Sequence, residues 1–400
     1  MKSSGGRDAR SDDAVMPVPL KSILFRLHWI SGITAGLVLA VVGVTGALLG
    51  FEAELIRALN PALAIEAKDR TAPKPPSALI EAATAAHPGY RARSVAWDGD
   101  EAAVIVRVAR AGERNGPEVA VDPYRGAVIG ELRGADVFAT IEQLHRNLAA
   151  GPVGKQIVGA STALLVLMAV TGIVLRWPRR ARSVRAWLAF NPKLRGRALL
   201  WNLHSVGATW LLACYLLAAL TGLWWSYDFY RDAVNRAAGV PTPARRGPGD
   251  VRADIPLASI DIAWATFRRE ATDASRATIA LAGDGSAPVE IRYQTPASPH
   301  VRAWNTLKVD GRTGATVGRE LYAAQPLGRR FVSSIFPLHS GDFFGWPGRI
   351  AMAVAALLMP FFLVTGIWMW VRRRHAAKER VALGRARSTS PTSRPVLDDA

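Results

Sequence analysis

The chain has 400 residues, and its 50 lysines and arginines outnumber the 32 acidic residues, which gives a net charge of +18. A charge of this size can indicate nucleic-acid binding, but the basic residues lie in short segments between long apolar blocks, so we expect no nucleic-acid partner. The single cysteine, Cys214, excludes an intrachain disulfide and a Cys-x-x-Cys metal or redox motif. Half of the residues are hydrophobic, which favours a membrane protein.

Four apolar blocks are each long enough to cross a hydrocarbon core of about 30 Å. They cover residues 23–51, 153–177, 198–227 and 348–371. Each block ends in charged residues or in Trp and Tyr, which are enriched at membrane–water interfaces. The first block is too long for a signal peptide and lacks a small-x-small cleavage site, so we interpret it as a retained membrane helix.

These blocks predict the organisation of the whole chain. In chain order we expect a disordered N-terminus (1–20), a first span (21–51), an outer domain (52–152), a second span (153–177), a basic loop (178–197), a third span (198–227), a second outer domain (228–347), a fourth span (348–371) and a C-terminal tail (372–400). The predicted fold class is an all-α four-helix transmembrane bundle with two outer α+β domains.

The distribution of basic residues predicts the orientation. Residues 176–197 contain eight arginines and lysines and no acidic residue, the tail begins with three arginines, and the N-terminus is also basic. Short basic segments remain on the cytoplasmic side of a membrane. We therefore expect a bacterial inner-membrane protein with cytoplasmic termini and with residues 52–152 and 228–347 in the periplasm.

The two outer segments share a turn motif. Residues 120–130 align with residues 308–318, and in both a Val-Asp pair is followed by a glycine four residues after the aspartate. An aspartate at the start of a turn accepts hydrogen bonds from the following backbone, and glycine adopts the left-handed conformation before the next strand. Further strands are predicted at 102–108 and 289–293, and helices at 76–86 and 257–267.

Four of the seven histidines follow a leucine beside the four spans, and each span also carries a Thr-Gly pair. The histidines are His28, His145, His204 and His339, and the Thr-Gly pairs are Thr45-Gly46, Thr171-Gly172, Thr221-Gly222 and Thr365-Gly366. The spacing from histidine to threonine is 17, 26, 17 and 26 residues, which indicates a tandem duplication. Ionisable residues near lipid are costly and usually functional.

A two-fold axis along the membrane normal would bring equivalent histidines of the two repeats together. This predicts an inner pair, His28 and His204, and an outer pair, His145 and His339. Two facing imidazoles can ligate one haem iron axially, so we predict two b-type haems. Glycines beside the histidines would admit a flat macrocycle; they are Gly32, Gly36, Gly207, Gly154 and Gly159. Arg26 and Arg146 could pair with the haem propionates.

Other interpretations of these residues remain open. Zinc is the rival metal, although zinc sites usually add cysteine or carboxylate ligands at short spacing. A single interfacial histidine is more often a solvated anchor than a ligand. We interpret the Thr-Gly pairs as helix-packing positions, and His87, His300 and His375, which lack repeat partners, as surface residues.

Four sequence features are shared with a known family: the Leu-His motifs and the Thr-Gly pairs of the spans, the basic middle loop and the two Val-Asp turns. Together they resemble the PepSY-associated transmembrane helix family, which includes PiuB-type iron-regulated membrane proteins. The resemblance covers about residues 20–375. It implies four spans, PepSY-like outer domains and, for some members, haem-dependent reduction of ferric siderophores in the periplasm. The second repeat departs from the first directly after its histidine, where Ser340 replaces Arg146.

The sequence thus favours a di-haem electron-transfer protein that reduces a ferric siderophore, or another periplasmic acceptor, and releases its iron. We identify no catalytic residue. No nucleotide-binding glycine motif follows a predicted strand, so the donor would be quinol or a separate cytoplasmic reductase. The alternative is a non-enzymatic membrane anchor whose PepSY-like domains bind a periplasmic partner.

The orientation is testable with reporter fusions. A reporter that is active only in the cytoplasm should be active after Arg185, and one that is active only in the periplasm should be active when inserted at residues 240–250, because positive loops are retained inside. Activity of the periplasmic reporter after Arg185 would invert the predicted topology.

Overall fold

The structure is a computed structural model, and it describes residues 18–65, 72–113, 116–241, 253–283 and 288–388. The chain divides into two compact units. Unit 1 contains the described residues up to Leu39, Ala160–Leu216 and those from Met359 onward, and unit 2 contains Ala40–Gly159 and Leu217–Leu358. Three of the four divisions fall inside apolar helices, and the fourth falls at a helix break at Leu358.

The helices agree with the predicted spans to within a few residues at most ends. They are α1 (Val18–Leu49), α2 (Glu52–Leu59), α3 (Pro76–Ala85), α4 (Ala135–Asn147), α5 (Gly151–Arg176), α6 (Val184–Leu188), α7 (Gly196–Trp210), α8 (Leu212–Ser226), α9 (Asp228–Ala237), α10 (Leu257–Glu270), α11 (Leu327–Ser340), α12 (Gly345–Leu357) and α13 (Met359–Ser388).

Three segments in the described residues are long and apolar enough to cross a membrane by themselves: Leu20–Leu49, Gly151–Arg176 and Asp342–Ala376. The third predicted span differs, because α7 and α8 are bent by 59° at the break between them and make a fourth span only when taken together. The protein is therefore a membrane protein with several apolar helices and a separate sheet.

The first and last helices extend beyond the spans predicted from the sequence. The predicted disordered segment at residues 1–20 lies mostly outside the described residues, but Val18–Leu20 already belong to α1. At the other end, α13 continues to Ser388, well beyond the predicted end of the fourth span at residue 371. The polar part of α13 continues directly from its apolar part. Because the apolar part is already helical, the charged segment does not have to nucleate a helix by itself.

The strands of both outer segments lie in unit 2. They are β1 (Arg91–Trp97), β2 (Val104–Ala109), β3 (Glu118–Val121), β4 (Val128–Glu131), β5 (Ala253–Asp254), β6 (Arg276–Ala280), β7 (Ala282–Gly283), β8 (Val289–Gln294), β9 (Asn305–Val309) and β10 (Thr316–Glu320). Eight of them form one antiparallel sheet in the order β10-β9-β8-β6-β1-β2-β3-β4, and β5 pairs with β7. The two segments meet where β1 pairs with β6.

The sheet is held by a core on one face, which α3 and α10 cover. Side chains of β2 alternate between the two faces, as the pleat requires, and Val104, Val106 and Val108 are almost fully buried. Phe267 of α10 is fully buried and contacts the ring of Tyr293 on β8. The helices and strands predicted for both outer segments are therefore present, and the strands of the two segments join in one sheet.

The two Val-Asp turns form as the sequence predicts. The Asp122 carboxylate accepts hydrogen bonds from the backbone N–H of Tyr124 and Arg125, and Gly126 has a φ of +69°. In the second turn, Asp310 accepts from the backbone of the residues two and three positions later, and these bonds lower the pKa of its carboxyl group.

Candidate functional site

The inner pair lies within unit 1. His28 is on α1 and His204 is on α7, and their ring centroids are 6.5 Å apart with an angle of 72° between the ring planes. Both residues are partly buried. The structure therefore brings together two imidazoles that are 176 residues apart in the sequence.

The outer pair lies within unit 2. His145 is in the last turn of α4 and His339 is in the last turn of α11, and their ring centroids are 6.2 Å apart with an interplanar angle of 69°. Each helix ends directly after its histidine in a left-handed residue, Leu148 in the first case and Gly341 in the second. The ring of Trp225 packs edge to face against His339 at 5.4 Å.

Each of the four histidines contacts the threonine of one Thr-Gly pair. The Nδ1–Oγ1 distances are 3.0 Å for His28 and Thr171, 3.3 Å for His145 and Thr45, 2.8 Å for His204 and Thr365, and 3.0 Å for His339 and Thr221. The contacts are reciprocal in sequence: His28 pairs with Thr171 and His145 with Thr45, while His204 pairs with Thr365 and His339 with Thr221.

These threonines determine which ring nitrogen carries the proton. Each threonine hydroxyl lies within hydrogen-bonding distance of the carbonyl oxygen four residues earlier in its own helix, as in Thr171 to Leu167 at 2.8 Å and Thr365 to Phe361 at 2.8 Å. A hydroxyl has one proton to donate, and when this proton goes to the carbonyl, the hydroxyl oxygen accepts from the histidine. Nδ1 is then the donor, and a neutral ring carries its lone pair on Nε2.

Backbone carbonyls support the same tautomer in the outer pair. His145 Nδ1 lies 2.9 Å from the carbonyl oxygen of Val42, and His339 Nδ1 lies 3.1 Å from that of Ala218. A carbonyl oxygen can only accept, so Nδ1–H donates. Burial lowers the pKa of His145 and lowers that of His339 to about 4, which keeps both imidazoles neutral near pH 7. Among the described residues, no hydrogen bond reaches the Nε2 of these four histidines.

The glycine of the Thr-Gly pair makes room for the histidine ring. A Cβ added to Gly46 would lie 2.8 Å from Cε1 of His145, and one added to Gly172 would lie 3.2 Å from Cε1 of His28. Both distances are shorter than an ordinary van der Waals contact. The second repeat is less tight, because a Cβ on Gly366 would lie 3.8 Å from the His204 ring.

A cavity of about 320 Å³ opens beside the inner pair, and both rings line it. Its volume lies at the lower end of the ~300–1,000 Å³ that small-molecule sites occupy. Most of its lining is apolar or aromatic, including Trp29, Met168 and Phe362. Of the predicted glycines, Gly32 and Gly36 line the cavity, and a Cβ on Gly207 would lie 3.5 Å from the ring of Phe362, which also lines it.

Some of the residues that the sequence analysis places around a haem make other contacts in the structure. A Cβ on Gly154 would meet the carbonyl of Asn147, and one on Gly159 would meet the ring of Tyr227, so these glycines serve close chain packing. Arg146 forms an exposed ion pair with Glu142 one turn earlier on the same helix.

His300, predicted to lie at the surface, is buried. Its Nδ1 accepts from the backbone N–H of Arg302, and its Nε2 lies 2.9 Å from the Tyr322 hydroxyl and 3.1 Å from the Ser334 hydroxyl. Both hydroxyls also contact the carbonyl oxygen of Arg330. His300 therefore has its proton on Nε2, the tautomer opposite to that of the four paired histidines.

The threonines are the site residues that the sequence analysis missed. We interpreted them as packing positions because small residues permit the close approach of membrane helices. The equal number of Leu-His and Thr-Gly motifs, and their repeated spacing, is the signal that could have indicated a pairwise contact.

The donor set of each pair consists of two neutral imidazoles. In the part of the chain that the structure describes, no three His, Cys, Asp or Glu side chains come close enough together to hold a metal ion by themselves. A structural zinc site takes four protein ligands and a catalytic one usually takes three. The pairs are therefore suited to a metal whose remaining ligands come from another molecule.

Residues 25–373 match the family model described as the PepSY-associated TM region. Because this match covers most of the chain, the protein belongs to that family of membrane proteins. An uncharacterized protein of Pseudomonas aeruginosa is 27% identical over 265 residues, which is 59% of this chain and 64% of that protein. The chain thus spans just under two thirds of the length of this relative.

The tautomers can be measured directly. In ¹⁵N-histidine solid-state NMR spectra of the membrane-reconstituted protein without added ligand, His28, His145, His204 and His339 should show a protonated Nδ1 and a bare Nε2 at pH 7. His300 should show the reverse, because its neighbours require it, and it serves as the internal control. Single His→Gln variants assign the signals. A protonated Nε2 at the four paired positions would contradict the proton assignment.

Proposed function

We propose that this protein is a di-haem membrane electron-transfer protein, with one haem held by His28 and His204 and the other by His145 and His339. The observation that carries the proposal is the repeated arrangement of the two pairs: facing imidazoles, each with Nδ1–H held by a threonine and Nε2 left for a metal. A single such pair could arise from packing alone. Two pairs at equivalent positions of two repeats argue for a shared ligand.

The spacing of each pair would allow both of its imidazoles to hold one metal, because metal–imidazole bonds are about 2 Å long. The centroids lie 6.5 Å apart in the inner pair and 6.2 Å apart in the outer pair. The donor set also fits, because a porphyrin supplies the four remaining ligands that the described part of the chain does not.

The protein's own residues prepare the ligands. Each threonine keeps the proton on Nδ1 and fixes the ring orientation, a contact that in metal sites raises the basicity of the ligating nitrogen. Gly46 and Gly172 allow the rings of His145 and His28 to approach the neighbouring helix. The apolar lining of the inner cavity excludes water, which influences a haem's reduction potential. The bound haems would supply one-electron transfer.

We further propose that the chain is a tandem duplication whose four spans form a bundle in the bacterial inner membrane, with both termini in the cytoplasm. Each repeat would contribute one span, one outer segment and a second span. The sheet supports this, because its two halves follow the same order from the junction of β1 and β6 outward. The reciprocal histidine–threonine contacts support it independently, as they join the same positions in both repeats.

The proposed acceptor is a ferric siderophore or a similar ferric chelate on the periplasmic side. Hard oxygen ligands bind Fe(II) less strongly than Fe(III), so addition of one electron promotes release of the iron. The family resemblance and the large outer segments support this choice. The electron donor would be quinol or a separate cytoplasmic reductase.

The ligation is tested by the absorption spectrum of the purified protein. Wild-type protein should contain two haems with a Soret band typical of two axial histidines. His28→Ala and His204→Ala should each remove the same haem, and His145→Ala and His339→Ala the other, so haem content should fall by about half in each.

His375→Ala is the matched control, because this exposed residue lies on α13 outside both pairs. It should keep full haem content. Full haem content in all four pair variants would rule out the paired-ligand arrangement, and a wild-type protein without a Soret band would favour the non-enzymatic membrane anchor.

The acceptor is tested by reoxidation. Dithionite-reduced protein, freed of excess dithionite, should be reoxidised by a ferric hydroxamate chelate and should form a coloured complex with a ferrous-specific trap. His339→Ala should abolish this reaction, because it removes a ligand on the periplasmic side of the proposed topology. The redox-inert gallium chelate is the control. Wild-type haem that stays reduced in excess ferric chelate would require another acceptor.

A further inference from the structure

Three arginines line the cavity of the inner pair, and none of the residues that line it is acidic. Arg176 is the last residue of α5, Arg197 is the second residue of α7, and Arg373 lies on α13. Arg176 and Arg197 flank the basic loop at 178–197. The cavity therefore combines an apolar body with a positively charged border.

The arginines have neutral neighbours. Arg176 donates to the hydroxyl of Thr209, and the Arg373 guanidinium lies over the ring of Phe25 at 4.4 Å from its centroid. Among the described residues, no ion pair joins Arg176, Arg197 or Arg373 to a carboxylate. The three guanidinium groups are therefore available to an anionic ligand at the border of the cavity.

A second observation also points into this cavity. Ser205 follows His204 on α7 and lines the cavity, and its hydroxyl oxygen is buried without a hydrogen-bond partner in the structure. Buried polar atoms without partners are rare in folded proteins. A polar group of a ligand in the cavity would satisfy it.

We propose that Arg176, Arg197 and Arg373 bind the propionate carboxylates of the haem held by His28 and His204, and turn them toward the basic loop. This inference rests on the proposed function. It replaces Arg26 and Arg146, the partners that the sequence favours, with residues that line the cavity itself. Guanidinium groups suit this task because they bind carboxylates in a bidentate manner and keep their charge at any physiological pH.

The same guanidinium groups could bind the phosphate of a lipid headgroup, which shares the anionic oxygens. The two sources differ in where the anion is attached. A propionate is part of the haem that the histidines hold, so loss of an arginine should weaken haem binding. The loss should have no effect when the carboxylates are esterified and carry no charge.

The experiment uses the full chain with His145→Ala and His339→Ala, so that only the inner site binds haem. Protein produced without haem is titrated with haem b and with its dimethyl ester, which lacks the two carboxylate charges, and the Soret band reports binding. Arg197→Gln and Arg373→Gln should each weaken haem b binding by roughly 10-fold and leave ester binding unchanged. Arg→Lys at the same positions should recover part of the loss.

Arg374→Gln is the matched control, because Arg374 neighbours Arg373 on α13 but lies over the ring of Trp370 at 4.2 Å and does not line the cavity. It should bind haem b as the parent does. Equal weakening of haem b and ester in the arginine variants would show that the arginines act only through the fold, and would overturn the inference.

Unchanged haem affinity together with loss of co-purified anionic lipid would assign the arginines to a headgroup and would equally overturn it. Failure of the proposed function gives a different result: the parent chain itself would show no Soret band typical of two histidines with either compound, and the inference would fall with it.

Discussion

The hydrogen bond between a histidine Nδ1–H and a threonine hydroxyl is the interaction on which the candidate site depends. A buried imidazole must place its proton on an acceptor, because an unsatisfied polar group among apolar helices is costly. The threonine can serve as this acceptor only because its own proton is used within its helix, as in Thr365 and the carbonyl of Phe361. The proton of each side chain then has an acceptor, and Nε2 of the ring is left without a hydrogen bond.

This constraint also explains why the motifs occur in matching numbers. Each of the four histidines needs a threonine on a neighbouring helix, at the point where its Nδ1 reaches the hydroxyl. The glycine after the threonine is needed where the histidine ring lies closest to the neighbouring helix, as at Gly46 beside His145. Under the proposed duplication, copying such a unit would reproduce the contact, and the two copies together would provide the two imidazoles of each pair.

In unit 2, a cluster of buried polar residues positions the helix α11. His300 lies between the sheet and α11, where its Nε2–H reaches the hydroxyls of Tyr322 and Ser334. The ring of Phe343 packs against it at 5.9 Å. Since α11 carries His339 in its last turn, this buried cluster fixes the helix that holds one member of the outer pair.

The sequence by itself determined the apolar spans, the duplicated turns and the four histidines, because hydrophobic length, turn chemistry and repeat spacing are local properties of the chain. The bend between α7 and α8, the single sheet built from two distant segments and the tautomers were decided only by the tertiary structure. Each depends on contacts between residues that are distant in the sequence. Strand β1 pairs with β6 about 180 residues later, and Thr171 contacts His28 on another helix. Contacts of this kind leave no periodic signal in one chain, so a threonine that orients an imidazole looks the same in sequence as a threonine that only packs.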